Sequence, residues 1–199
     1  MNQVYALLYP LLWIFMRLFH PWKIVGDHRL PEGGALLCGN HTSIGDPCYV
    51  ACAVGGRQQL RVLAKAELMR IPVLGYVLEK AGIIGINRNR ADVAAIKTCI
   101  KVLKNGERLL VFPEGTRVRE EETGEAHTGV AMFATRTGVP IVPIYISPRK
   151  RWFRKTAVIF GKPYLPEYEG KKATPEDYKR ISEELMERIR VLGEKHNEG

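Results

Sequence analysis

From residue 35 onward, short apolar runs alternate with stretches whose apolar positions recur every three or four residues. The runs at 35–38, 61–64, 82–86, 109–112, 141–146 and 157–160 have the length and composition of strands. Between residues 89 and 105, Val93, Ile96, Ile100 and Leu103 follow steps of three and four, which predicts a helix with one buried face. Asn89 is its expected N-cap, with Asp92 three residues on, and Gly106 its stop. A last helix begins at Thr174-Pro175-Glu176-Asp177. Thr174 caps it, Pro175 fits the first turn and Asp177 completes a capping box. Its apolar stripe is Tyr178, Ile181, Leu185, Ile189 and Leu192. Strands alternating with helices predict a single α/β domain, a mixed β-sheet flanked by helices. The segment 141–146 carries Pro143 and follows Pro140, which predicts an edge or bulged strand.

The first stretch is different. Residues 4–19 read VYALLYPLLWIFMRLF. This is short of the ~20 apolar residues of a membrane span, and Pro10 is expected to interrupt a helix there. A signal peptide has basic residues before its apolar run and small residues after it. Here Arg17, His20 and Lys23 follow the run, beside bulky Phe19, Pro21 and Trp22. The mixture of Leu, Tyr and Trp suits a helix lying in the membrane interface, with Trp13 and Trp22 near headgroup level. Residues 1–23 are therefore expected to be an apolar membrane-associating helical segment, and 24–199 the α/β domain.

The 199 residues suffice for one well-packed core. Thirty basic against 21 acidic side chains give a formal charge of +9, which points to an anionic partner: nucleic acid, a phosphorylated ligand or an acidic membrane. The four cysteines contain no C-x-x-C pair, which argues for a reducing compartment. The five histidines show no zinc-like spacing, and no metal site is expected.

Candidate chemistry begins at Asn40-His41-Thr42-Ser43-Ile44-Gly45-Asp46, directly after the strand-like ALLCG. Strand ends in α/β folds present reactive groups. His41 and Asp46, five residues apart, can close on each other across a turn. The carboxylate then fixes the imidazole tautomer and raises the basicity of the other nitrogen. No G-x-S-x-G elbow surrounds any serine. A His-Asp pair without a serine can activate a substrate hydroxyl directly. Cys38 and Cys48 lie nearby in apolar runs and read as small buried residues, not nucleophiles.

Two further segments place a cation after an apolar run: GIIGINR, ending at Arg88, and FPEGTR, ending at Arg117. Each holds a guanidinium just past a strand end, suited to bidentate capture of phosphate. Gly115 allows a ligand close to the backbone.

In this order, NHTSIGD, AKAEL, GIIGINR, FPEGTR and VPIVPI resemble the glycerolipid acyltransferase family, specifically its 1-acylglycerol-3-phosphate acyltransferases. The resemblance spans about residues 35–146. It implies transfer of a fatty acyl group from acyl-CoA or acyl-carrier protein to the 2-hydroxyl of lysophosphatidate, giving phosphatidate, without an acyl-enzyme or a cofactor. It implies that His41 is the general base and that Asp46 orients it. Arg88, Glu114, Gly115 and Arg117 are implied to bind the acceptor phosphate, with Thr116 between them and Lys65 of AKAEL as a further contact. The chain departs from the family pattern twice. His127-Thr128-Gly129 stands where Lys-x-Gly is usual, and Gly85 stands where an aromatic is common.

The stretch 149–155, RKRWFRK, sets five cations around Trp152 and Phe153. Such a stretch suits single-stranded nucleic acid, an anionic bilayer, or docking of an acidic carrier or coenzyme A phosphates. The apolar N-terminal segment favours the bilayer, because stable anchoring takes two signals. The expectation is a peripheral or monotopic enzyme on the cytoplasmic face of the cell membrane, with no nucleic-acid partner.

Overall fold

Helices cover both faces of a seven-stranded sheet in the computed structural model, which describes residues 3–26, 29–57, 59–87, 92–114 and 128–197. The chain runs α1 (Gln3–Phe19), β1 (Trp22–Val25), β2 (Ala35–Gly39), α2 (Asp46–Val54), β3 (Leu60–Lys65), α3 (Leu74–Lys80) and β4 (Ile83–Ile86). It continues with α4 (Val93–Lys104), β5 (Arg108–Val111), α5 (Gly129–Thr137), β6 (Ile141–Ile146), β7 (Thr156–Phe160) and α6 (Pro175–Asn197). A 3₁₀ turn, Ala66–Arg70, follows β3. The sheet order is β1-β7-β6-β2-β5-β3-β4, and only the β6–β7 pair is antiparallel.

The central strand shows why the apolar runs were continuous. All five residues of β2 are buried. Ala35 and Leu37 face a core shared with α1 and α2, including Met16, Tyr49 and Val50. Leu36 and Cys38 face the opposite core, with Leu103 of α4, Phe133 of α5 and Leu185 of α6. A parallel sheet covered on both sides has no polar face to alternate with.

Several expectations are corrected. The strand at 141–146 lies inside the sheet, between β7 and β2. Pro143 is tolerated there because the antiparallel ladder ends at it. The Gly161 N–H donates to the Pro143 carbonyl at 2.9 Å, and the reciprocal donor is the one that proline lacks. The cap of α4 is Asp92, which accepts from the Ala95 N–H at 3.1 Å; Asn89 lies outside the described residues. Val93, expected on the buried face of that helix, is exposed. The Thr174–Asp177 box forms in both directions, and Ile181, Leu185 and Ile189 are buried beneath it. At Gly85 a Cβ would come within 2.7 Å of Met69 Cγ, so methionine fills the space an aromatic would need.

Helix α1 runs unbroken past Pro10. Pro10 and Ala6, whose carbonyl loses its helical donor, are both exposed. Tyr5 and Met16 anchor the helix on the core, whereas Leu7, Leu11, Ile14, Phe15 and Leu18 form an exposed apolar stripe at helical spacing. The boundary expected between residues 23 and 24 falls inside β1, which pairs with β7 from Trp22 to Val25. Among the described residues, no helix is long and apolar enough to cross a membrane.

Candidate active site

The parallel strands β2, β3, β4, β5 and β6 all end on one edge of the sheet. Because β7 runs against β6, and β1 runs with β7, the 147–155 loop and the end of α1 lie at that same edge. In open α/β sheets this carboxyl edge is where ligands bind.

The turn leaving β2 carries His41. Asn40 pins that turn to the neighbouring strand. Its side-chain amide donates to the Ile146 carbonyl at 3.0 Å, and its carbonyl accepts from the Ile146 N–H at 2.7 Å. The chain then folds back so that Asp46, the first residue of α2, faces the turn. Asp46 Oδ2 accepts from the Thr42 and Ser43 N–H groups, each at 2.8 Å, and lies 3.0 Å from His41 Nδ1. A carboxylate in the first turn of a helix also meets the positive end of the helix dipole.

Asp46 is fully buried and His41 is 18% exposed. Burial alone would push the Asp46 carboxyl up. The hydrogen bond from His41, the charge and hydrogen bond of Lys150 and the Ser43 amide outweigh it and hold the group below the usual carboxylate value. Asp46 is therefore the ionised partner, and Nδ1 of His41 carries the shared proton. Nε2 is the ring nitrogen not engaged with Asp46.

Phe112, just past β5, stacks on the imidazole with ring centroids 4.2 Å apart. Two residues later Glu114 Oε2 accepts from the His41 backbone N–H at 3.2 Å. Burial, reinforced by the charge of Asp46 and opposed by that N–H, pushes the Glu114 carboxyl up to about 7. The structure thus brings His41, Asp46 and Glu114 together. Lys65 ends β3, two strands from β2, and is exposed at the same edge. Arg88, Gly115, Thr116, Arg117 and His127 lie outside the described residues.

Two members of the site were not identified from the sequence. Asn40 had no assigned role, and Lys150 was counted with the surface cations of 149–155. Its Nζ lies 2.7 Å from Asp46 Oδ1 and donates to Thr42 Oγ1 at 2.6 Å, with the side chain only 9% exposed. The loops that follow β2 and β6 meet because the two strands are parallel neighbours. That order cannot be read from spacing. Nearby thiols are poor nucleophiles, since burial pushes Cys38 and Cys48 above the ordinary thiol value.

Comparison with known proteins decides the family. The acyltransferase family model matches residues 22–147, more than half of the chain. The chain belongs to the acyltransferase family. It is 31% identical over 180 residues to a 1-acyl-sn-glycerol-3-phosphate acyltransferase of Bacillus subtilis, covering 87% of this chain and 88% of that one. It is 32% identical over 130 residues to a chloroplastic enzyme of the same description from Brassica napus, covering 63% of this chain but only 37% of that one. The crystal structure of the 1-acyl-sn-glycerophosphate acyltransferase PlsC of Thermotoga maritima superposes with a TM-score of 0.72 at 23% identity, covering 96% of this chain and 81% of that one. At that identity the likeness shows the shared fold. All the residues around His41 except Lys150 fall inside the acyltransferase match.

Proposed function

We propose that this acyltransferase moves a fatty acyl group from an acyl thioester, acyl-CoA or acyl-carrier protein, to the 2-hydroxyl of 1-acylglycerol-3-phosphate, giving phosphatidate. The observation that carries the reading is the His41–Asp46 pair, 3.0 Å apart, at the carboxyl edge of the sheet. The acceptor class comes from relatives described as 1-acyl-sn-glycerol-3-phosphate acyltransferases.

The chemistry follows from the groups present. The acceptor hydroxyl ionises far above neutrality, so it needs a base in contact as it attacks the thioester carbonyl. His41 Nε2 takes that proton, a contribution of typically ~10²–10⁴-fold. Asp46 stabilises the imidazolium as it forms. The tetrahedral intermediate collapses, the C–S bond breaks, and the imidazolium returns its proton to the departing sulfur. No acyl-enzyme is involved, in keeping with the raised Cys38 and Cys48 thiols. Arg88 and Arg117, with Gly115, Thr116 and Lys65, bind the acceptor phosphate. Glu114, which the resemblance placed with the phosphate-binding residues, braces the His41 backbone instead, and with its carboxyl raised to about 7 it repels the nearby phosphate less than a full carboxylate would.

The enzyme works on the cytoplasmic face of the membrane, attached and not spanning. Supporting this, the apolar stripe of α1 is continuous with the 147–155 loop. Phe19 packs on Trp152 and Phe153 with centroids 6.1 and 5.9 Å apart, and the Phe153 N–H donates to the Phe19 carbonyl at 2.8 Å. Phe153 keeps a left-handed backbone, φ 59°, with its ring exposed. Such strain in a non-glycine residue is characteristic of functional loops. Arg149, Arg151, Arg154 and Lys155 surround these rings in exposed positions. A single-chain lipid acceptor arriving from the bilayer and a thioester arriving from water then meet at one edge.

The test is a thiol-release assay with acyl-CoA and acyl-carrier protein against lysophosphatidate, glycerol-3-phosphate and lysolipids with larger headgroups. Release that depends on lysophosphatidate supports the reading. Release only with another acceptor would overturn the acceptor assignment.

A further inference from the structure

Lys150 follows β6 by four residues, and its side chain turns inward from an otherwise exposed basic loop. The two oxygens of Asp46 are divided between partners. Oδ2 takes the Thr42 and Ser43 amides and faces His41 Nδ1, while Oδ1 faces Lys150 Nζ at 2.7 Å. Thr42 Oγ1 supplies a second anchor for the ammonium at 2.6 Å. A lysine gives up much rotamer freedom and hydration to sit this way, and a surface cation of a membrane-binding loop has no reason to do so.

We propose that Lys150 is a positioning residue of the dyad, locking Asp46 and placing beside it a positive charge that opposes protonation of His41. The argument is charge balance in a buried site. Whatever charge Glu114 carries, the Lys150 ammonium beside Asp46 adds one positive charge to the site, so protonating His41 costs more with it than without it. Without Lys150, the Asp46 carboxylate is left without that cation and attracts a proton onto His41 more strongly. The ammonium thus keeps the base free of its proton at lower pH. This rests on the reading of His41 as the general base.

The groups around His41 are few among the described residues. Asp46 comes from α2, with Cys48 and Tyr49 beside it on the same helix; Glu114 and Phe112 come from the segment after β5; Lys150 comes from the loop after β6. His20, at the end of α1, packs on Tyr49 and Trp152 one layer away. Among the described residues, only Lys150 brings a fixed positive charge to Asp46. Glu114 titrates near the same range, up to about 7, so the His41 resonance must be followed directly as well as through activity.

The experiment measures the pH dependence of kcat and the acceptor KM for the full chain and for Lys150→Met, Lys150→Gln and Lys150→Arg, with acyl-CoA and lysophosphatidate. The His41 imidazole is titrated by NMR in the same proteins, assigned by loss of its signal in His41→Gln. In Lys150→Met the acid limb of kcat should move up by about one pH unit, giving a loss of about tenfold below the shifted limb that alkaline buffer restores. Lys150→Arg should keep the wild-type limb, and the His41 titration should move in step with kcat. Should Lys150→Met fail to fold, Lys150→Gln, which keeps a donor but not the charge, must show the same movement. A loss equal at every pH, or a raised acceptor KM with the limb unmoved, would overturn the proposal, the latter making Lys150 a phosphate ligand. A His41 titration that shifts while the kcat profile stays fixed would uphold Lys150's role and overturn the general-base reading instead.

Discussion

The imidazole of His41 lies on the ring of Phe112, centroids 4.2 Å apart and planes inclined by 21°. One strand end therefore grips His41 twice, since Glu114, two residues on, holds the His41 backbone. Phe112→Leu preserves an apolar side chain but removes the flat surface. It should lower kcat by about tenfold with little change in either KM, because orientation and not binding is lost. Phe112→Ala should also cost ~3–5 kcal/mol of stability. Steady-state kinetics and thermal unfolding separate the two effects, and an unchanged kcat in Phe112→Leu would remove the ring from the alignment of the base.

His41→Ala should abolish acyl transfer and leave the fold intact. Asp46→Asn should cost on the order of 10³–10⁴-fold in kcat, as loss of the orienting carboxylate does in His-based triads. It should also destabilise the protein by roughly 3 kcal/mol, because it strands the buried Lys150 ammonium. Denaturant unfolding beside the thiol-release assay reads both. Substantial transfer by folded His41→Ala would overturn the mechanism.

Arg88→Ala and Arg117→Ala should chiefly raise the KM for lysophosphatidate and much less that for the acyl donor. The charge-assisted contact to the phosphate proposed for each guanidinium would be made in both ground and transition states, so its loss should weaken binding more than turnover. An effect confined to the donor KM would reassign that arginine to the thioester substrate.

How far the sequence alone reached is clearest at particular residues. The six apolar runs became strands because a sheet buried on both faces leaves no polar alternation to confuse them, as at Leu36 and Leu37. The strand Trp22–Val25 was missed because it is a half-exposed edge strand following an apolar helix. Pro143 misled because a proline's position within a ladder is not written in the chain. His41 and Asp46 were legible because a five-residue turn brings them together locally. Lys150 was not, since 104 residues separate it from Asp46 and only the β2–β6 adjacency makes them neighbours.

Glu114 gives a pH signature. Burial, aided by the Asp46 charge, keeps it protonated up to about 7, whereas an unfolded glutamate ionises near about 4.3. Between those values the folded state binds more protons. Its contribution to stability is present below the unfolded value and is lost as pH rises toward about 7. Glu114→Gln should flatten that decline in a plot of Tm against pH. Asp46 acts with the opposite sign: its lowered carboxyl adds stability above the unfolded value, lost as pH falls. A decline unchanged in Glu114→Gln would place the titrating proton on another group.

Membrane attachment should need both α1 and the 147–155 loop. Helix α1 has 17 residues and reaches only ~26 Å, short of the ~30 Å hydrocarbon core. Leu7 and Leu18 are 68% and 61% exposed, and burying that stripe in lipid is worth several kcal/mol at ~25 cal/mol per Å². The exposed cations Arg149, Arg151, Arg154 and Lys155 add attraction to anionic lipid that salt screens. Deleting residues 1–23 is a poor test, because it removes Met16 from the core and half of β1. Replacing Leu7, Leu11 and Leu18 by serine leaves the buried face alone, and neutralising the four cations while keeping Lys150 spares Asp46. Liposome flotation with and without phosphatidylglycerol should show binding weakened by either set and abolished by both. The cation set should lose only the part of binding that depends on phosphatidylglycerol. Flotation unchanged in the combined variant would refute attachment through this surface.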